Sequence, residues 1–158
     1  APALGSRWWA ARGHGAFRNG ERIHVSQVAR VEDAHLAYDS VSAFEDEGGA
    51  DAFLALARRC WRSRGFGDFW GHALVARGAG EAMIESELNI WDYAAFQIVV
   101  EEAGGRVTDR RGVRHADGGN AVTTNGILHD EVLALVAEDG WDPDDPLPNL
   151  AAISTVIV

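Results

Sequence analysis

Ile84-Glu85-Ser86-Glu87-Leu88-Asn89-Ile90-Trp91-Asp92-Tyr93-Ala94-Ala95 joins two kinds of periodicity. Upstream, Glu81 to Glu85 (EAMIE) is a short apolar run with the length of a buried strand. Downstream, Ala95, Ile98, Val99 and Glu102 or Ala103 recur at i, i+3, i+4 and i+7, which predicts a helix over Asp92 to Ala103, stopped by Gly104-Gly105. Asp92 falls in the first turn, after a bulky Trp91 and before two alanines small enough for close helix packing. A carboxylate there feels the positive end of the helix dipole, which keeps it ionised and suits it to a hard divalent cation that also carries phosphate. The position equally suits a plain N-cap, and spacing alone leaves both readings open. Glu85, taken by itself, reads as a surface carboxylate.

The same alternation extends outward in both directions. Asn19-Gly20, before Arg22-Ile23-His24-Val25, is a tight-turn signal and predicts a hairpin or meander, with Gly13 and Gly15 serving a turn. Ala34 to Val41 reads as a strand and Glu45 to Gly49 as an acidic loop, while Ala52 to Trp61 places Phe53, Leu56, Ala57 and Cys60 at helical spacing. Asp68 precedes Phe69, Ala73 and Ala76, so its carboxylate could cap a helix ending near Gly78. Gly105 to Asp109 and Ala121 to Thr124 read as strands, and Asp130 to Glu138 as a last helix. Strands alternating with helices predict an α/β layered fold, without a repeat or linker to divide it.

The chain has 158 residues, 47% hydrophobic and 24% charged, which fits one domain able to bury about 70% of its unfolded surface. Its 24 acidic residues against 14 basic give a net charge of −10, and every basic residue is arginine. Without lysine there is no Schiff base, no pyridoxal-phosphate attachment, no P-loop and no Ser-Lys pair. The acidic balance argues against nucleic acid, whose binding depends on neutralising phosphates. Cys60 is the only cysteine, so there is no intramolecular disulfide or cysteine-based zinc cage, and a cytoplasmic location is expected. No apolar run reaches the roughly 20 residues of a membrane span, so no membrane is expected as a partner.

Other site signatures are weak. Gly65, Gly67 and Gly71 are spaced one residue too widely for a dinucleotide fingerprint. The six histidines, His14, His24, His35, His72, His115 and His129, show no zinc spacing and read as structural or surface residues. There is no GxSxG elbow. The acidic stretch Asp142 to Asp145 lacks an EF-hand's positions and reads as a solvated loop.

Trp91-Asp92-Tyr93-Ala94-Ala95 resembles the WDxAA signature of the inositol monophosphatase family, the Mg²⁺-dependent phosphomonoesterases. Gly13 to Ser26 (GHGAFRNGERIHVS) resembles that family's GxGAFxNGxxIxVS hairpin, Leu74 to Gly78 its LVAxG helix end, and Glu101 to Thr108 (EEAGGRVT) its EAGGxxT element. Ala121 to Leu128 (AVTTNGIL) is similar to the strand and turn before its last helix. Within the family, Gly67-Asp68-Phe69-Trp70 is similar to the histidinol-phosphate phosphatase branch, whose substrate carries an amine and an imidazole. A carboxylate at Asp68 would pair with that ammonium, whereas a neutral polyol needs no counter-charge.

The resemblance implies a layered α/β sandwich of the sugar-phosphatase type, of which this chain supplies the C-terminal portion. Residues 1–140 are expected to be the C-terminal half of the domain, and residues 141–158 an acidic, proline-containing tail unlike a family ending. The hairpin at residues 5–25 would supply edge strands to a first sheet, and the rest a second sheet with its helices. The resemblance gives Asp92 the role of a metal ligand, and Asp68 and Glu85 that of contacts to the substrate's non-phosphate part. It implies two or three Mg²⁺ ions in a complete site, a small phosphomonoester as the partner molecule, and a homodimer. The family's GEE-like and DPxDGT elements, which carry the principal metal ligands, do not occur here. The chain is therefore expected to begin inside the fold, to lack turnover alone, and to associate through strand edges left open. No catalytic residue is identified in this half. The expected activity of the complete protein is histidinol-phosphate hydrolysis; the alternatives are inositol-1-phosphate or a related sugar phosphate as substrate, or a non-catalytic module keeping this half of the fold.

Overall fold

The structure, a computed structural model, describes residues 1–47, 49–114 and 119–137. Its first part is an antiparallel meander of β1 (Trp8–Ala11), β2 (Gly15–Arg18) and β3 (Glu21–Ile23). Arg18 pairs with Glu21 across Asn19-Gly20, whose φ values of 52° and 89° suit the tight hairpin turn the sequence predicts. Gly15, expected in the turn, is instead the first residue of β2, still with a positive φ.

The remaining elements are β4 (His35–Tyr38), α1 (Val41–Asp46), α2 (Ala50–Arg59), β5 (Arg62–Gly65) and α3 (Phe69–Ala76). They continue through β6 (Ala82–Glu85), α4 (Ile90–Glu102), β7 (Arg106–Thr108), β8 (Ala121–Thr124) and α5 (His129–Val136). The second sheet runs β5-β4-β6-β8-β7, with β4 parallel to β5 and β6, and β8 antiparallel to β6 and β7.

Three elements differ from the sequence expectation. The stretch read as a loop from Glu45 begins inside α1, because Phe44 is drawn into the core and stacks on Phe53 at 4.4 Å. The strand predicted to Val41 ends at Tyr38 for the same reason. β5 (Arg-Ser-Arg-Gly) has no apolar pattern to announce it; its ladder with β4 forms on the sheet edge, where one side needs no partner. His115, the end of the predicted last helix at Glu138, the acidic stretch Asp142 to Asp145 and the tail at 141–158 lie outside the described residues.

Strand parity sorts the core onto two faces of the second sheet. Leu36, Ala82, Ile84 and Val122 join Phe44, Phe53, Leu56, Leu128, Val132 and Leu133 on the side of α1, α2 and α5. Ala37, Met83 and Ala121 join Ala73, Tyr93, Val99 and Val100 on the side of α3 and α4. The meander closes over α3 and α4 through Trp8, whose ring lies 6.2 Å from Phe69, 6.2 Å from Trp70 and 6.0 Å from Phe96. Glu102, in the last turn of α4, accepts the Gly13 and Gly15 N–H groups at 2.7 Å each, which ties the hairpin to the helix end. The order is sheet, helices, sheet, helices. Burying each large core side chain contributes about 1.5–3 kcal/mol.

Parity also fixes the polar residues. Glu85 shares a face with Met83, and Thr123 shares one with Ala121, so both point to the α3 side. The parallel strands β4, β5 and β6 end together at Tyr38, Gly65 and Glu85, and in open α/β sheets ligands bind outside such carboxyl ends.

Candidate active site

Three loops meet at that edge, after β4, β5 and β6. Glu85 is buried, 2% exposed, which corrects its reading as a surface carboxylate. Its Oε1 accepts the Asp68 N–H at 3.0 Å and its Oε2 lies 2.8 Å from His72 Nε2. His72, fully buried on α3, places Nδ1 2.9 Å from Thr123 Oγ1 on β8. With the Glu85 oxygen as acceptor the network assigns a proton to Nε2, and Nδ1 is then placed to accept from the Thr123 hydroxyl.

Asp68 sits at the N-cap position of α3 but makes no side-chain cap bond, which sets aside the capping alternative. The cause is its backbone, φ 55° and ψ −152°, where a capping residue ordinarily has extended geometry. This conformation belongs almost wholly to glycine and costs an aspartate about 1–3 kcal/mol. The bond from its N–H to Glu85 holds it there, and its exposed carboxylate makes no hydrogen bond among the described residues.

Asp39, just past β4, accepts the Ser86 N–H at 3.3 Å and the Ser86 hydroxyl at 3.2 Å through Oδ2. Its Oδ1 is buried without a hydrogen-bond partner. The turn through Gly67 passes close above it: a Cβ on Gly67 would stand 3.9 Å from the Asp39 Cα. Asp39 and Ser86 thus tie the first loop to the third.

Asp92 lies in the first turn of α4, but the N-cap is Asn89 and the helix starts two residues earlier than predicted. Its carboxylate is half-buried and makes no hydrogen bond among the described residues, so it is not a cap. Beside it Trp91 is 76% exposed. Among the described residues no group of three or more His, Cys, Asp or Glu side chains is placed to hold a metal ion. The described residues do not by themselves fit a divalent cation: Asp92 offers one carboxylate, and Mg²⁺ held by one stays mostly hydrated.

The structure therefore brings Asp68 and Glu85 together directly. It adds three residues that sequence reasoning passed over, His72, Thr123 and Asp39. The available signal for His72 was its place as the one ionisable side chain in the apolar run Phe69–Ala76.

A model of the inositol monophosphatase family matches residues 1–140. The histidinol-phosphatase of Streptomyces coelicolor is 49% identical over 141 residues, covering 86% of this chain and 53% of the relative. The histidinol-phosphatase of Mycobacterium tuberculosis is 48% identical over 138 residues, covering 84% and 53%. Among solved structures, the IMPase of Thermotoga maritima matches with a TM-score of 0.76 at 37% identity, covering 86% of this chain and 53% of its own. The chain spans about half the length of these relatives. By sequence over nearly all its described length, and by layered architecture, the chain belongs to the inositol monophosphatase family.

Proposed function

We propose that residues 1–140 are the C-terminal half of an inositol monophosphatase-type domain, and that the complete domain is a Mg²⁺-dependent phosphomonoesterase acting on histidinol phosphate. The observation that carries the substrate is Asp68, a free, exposed carboxylate kept at the sheet's ligand-binding edge in a strained backbone conformation. An ammonium on the substrate would make a charge-assisted hydrogen bond to it, and a neutral polyol would not. The two histidinol-phosphatase relatives support the same substrate.

Glu85 supports the recognition from beneath. Each of its oxygens has a second acceptor site beyond the bond already made, so it can serve the substrate's non-phosphate part as well as Asp68. The family is generally metal-dependent. A divalent cation, held by Asp92 together with ligands from outside this chain, would supply Lewis-acid chemistry at the phosphate. Among the described residues Asp92 is the candidate ligand, and in this reading the others bind and orient the substrate. A small phosphomonoester partner, a homodimer and a cytoplasmic location belong to the same reading. No helix among the described residues is long and apolar enough to cross a membrane.

A non-catalytic module keeping this half of the fold is the competing reading, favoured by the lack of a metal-ligand cluster among the described residues. Phosphate release by the complete protein with Mg²⁺ decides between them. Histidinol phosphate is expected to give the highest kcat/KM, and Asp68→Ala to lower it about tenfold while leaving inositol 1-phosphate nearly unchanged. Faster turnover of an inositol or sugar phosphate sinks the substrate assignment; no metal-dependent turnover of any ester sinks the enzyme reading.

A further inference from the structure

We propose that His72 is a positioning residue for substrate recognition, acting through Glu85 on Asp68. This rests on the reading of Asp68 as the group that meets the substrate's cationic part. The chain of contacts is continuous. Thr123 Oγ1 lies 2.9 Å from His72 Nδ1, His72 Nε2 lies 2.8 Å from Glu85 Oε2, and Glu85 Oε1 accepts the Asp68 N–H at 3.0 Å.

Each link removes one freedom. The Glu85 carboxylate, an acceptor, selects the tautomer of the imidazole, and the Thr123 hydroxyl, able to donate or accept, fixes the rotation of the ring. The imidazole N–H fixes the rotation of the Glu85 carboxylate, which at 2% exposure has little water to orient it. The carboxylate in turn holds the amide of Asp68, whose left-handed backbone would otherwise relax. Three secondary elements, α3, β6 and β8, are joined by this row, and only its last member is exposed. A purely structural histidine in an apolar helix face has no need to end at a strained, exposed aspartate.

The test compares His72→Leu and His72→Gln in the complete protein. Glutamine can put an N–H close to where Nε2 stands, and leucine cannot. In His72→Leu the preference for an ammonium-bearing phosphomonoester over its deaminated counterpart, as a ratio of kcat/KM, is expected to fall about tenfold, mainly through KM. Turnover of the deaminated ester should stay within about twofold, and His72→Gln should restore most of the preference. An unchanged preference in His72→Leu, or an equal loss on both esters, overturns the proposal.

Two measurements do not depend on activity. In the unaltered protein, nitrogen NMR should find His72 protonated at Nε2, and Nδ1 protonation instead overturns the proposal even if His72→Leu fails to fold. The Asp68 amide should exchange its hydrogen about tenfold faster in Thr123→Val or His72→Leu than in the parent or His72→Gln. If the parent shows no preference for the ammonium-bearing ester, the reading of Asp68 fails, while these two measurements still decide whether His72 positions it.

Discussion

At the scale of one residue, Asp68 separates stability from function. Its φ of 55° and ψ of −152° lie where glycine is at ease and aspartate is not. Asp68→Gly should therefore raise unfolding stability by about 1 kcal/mol, because the N–H to Glu85 is kept while the strain of the side chain is removed. The same change should lower kcat/KM for histidinol phosphate about tenfold in the complete protein. Urea denaturation and steady-state kinetics read the two effects, which have opposite signs. A less stable Asp68→Gly would show that the backbone is not strained, and the argument for a functional aspartate would lose its basis. The sequence made Asp68 visible as a candidate but left a helix cap and a substrate contact both open. A capping carboxylate and a substrate-facing one share the same letters, and only the backbone dihedrals distinguish them.

At the scale of elements, the second buried histidine follows from the same strand parity. Thr124 faces away from Thr123, toward α5, where it meets His129 Nδ1 at 3.0 Å, and Thr108 Oγ1 meets Nε2 at 3.0 Å. Thr108 donates its only hydroxyl proton to the Asp109 carbonyl, so it must accept from Nε2–H, and Nδ1 accepts from Thr124. The neutral ring is satisfied. Burial first, and Arg106 second, push the His129 pKa down from 6.5 to about 3. The unfolded chain then binds a proton that the folded chain refuses between those values, so stability is full above pH 6.5 and declines as pH falls toward 3. By about pH 4 the loss is on the order of 3 kcal/mol. His129→Gln should flatten the denaturation midpoint over this window relative to the parent; equal slopes would contradict a neutral buried ring. Gly105 is a second element-scale constraint. A Cβ there would stand 2.6 Å from the Thr124 carbonyl oxygen, and backbone does not yield as a side chain does. Gly105→Ala should cost about 1–3 kcal/mol in denaturant unfolding, by forcing α4 and β7 off β8. The helix at Asp92 and the hairpin at Asn19-Gly20 were legible because their signals are local. His72 was not, since its partners lie 13 and 51 positions away and meet only when β6 and β8 pair beneath α3.

At the scale of the whole molecule, the proposed reading gives the described residues a recognition edge and no cluster of metal ligands. Among the described residues the candidate ligand Asp92 stands apart from any three-member cluster, and Trp91 and Ile90 beside it are 76% and 48% exposed. Several arginines that might otherwise draw an anion are held by carboxylates: Arg59 by Glu32, Arg106 by Asp130 and Arg114 by Glu101. With a net charge of −10 the surface repels a phosphomonoester unless cations intervene. Residues 1–158 alone are therefore expected to release no phosphate from histidinol phosphate above background at millimolar Mg²⁺. Their stability should also gain less than about 0.5 kcal/mol from the metal, because a ligand that binds weakly stabilises only near or above its dissociation constant. Phosphate release and thermal unfolding with and without Mg²⁺ measure both. Strong metal-dependent stabilisation, or turnover, would mean that these residues assemble a cation site with Asp92. The proposed division of labour, recognition in this chain and metal chemistry supplied with ligands from outside it, would then be wrong.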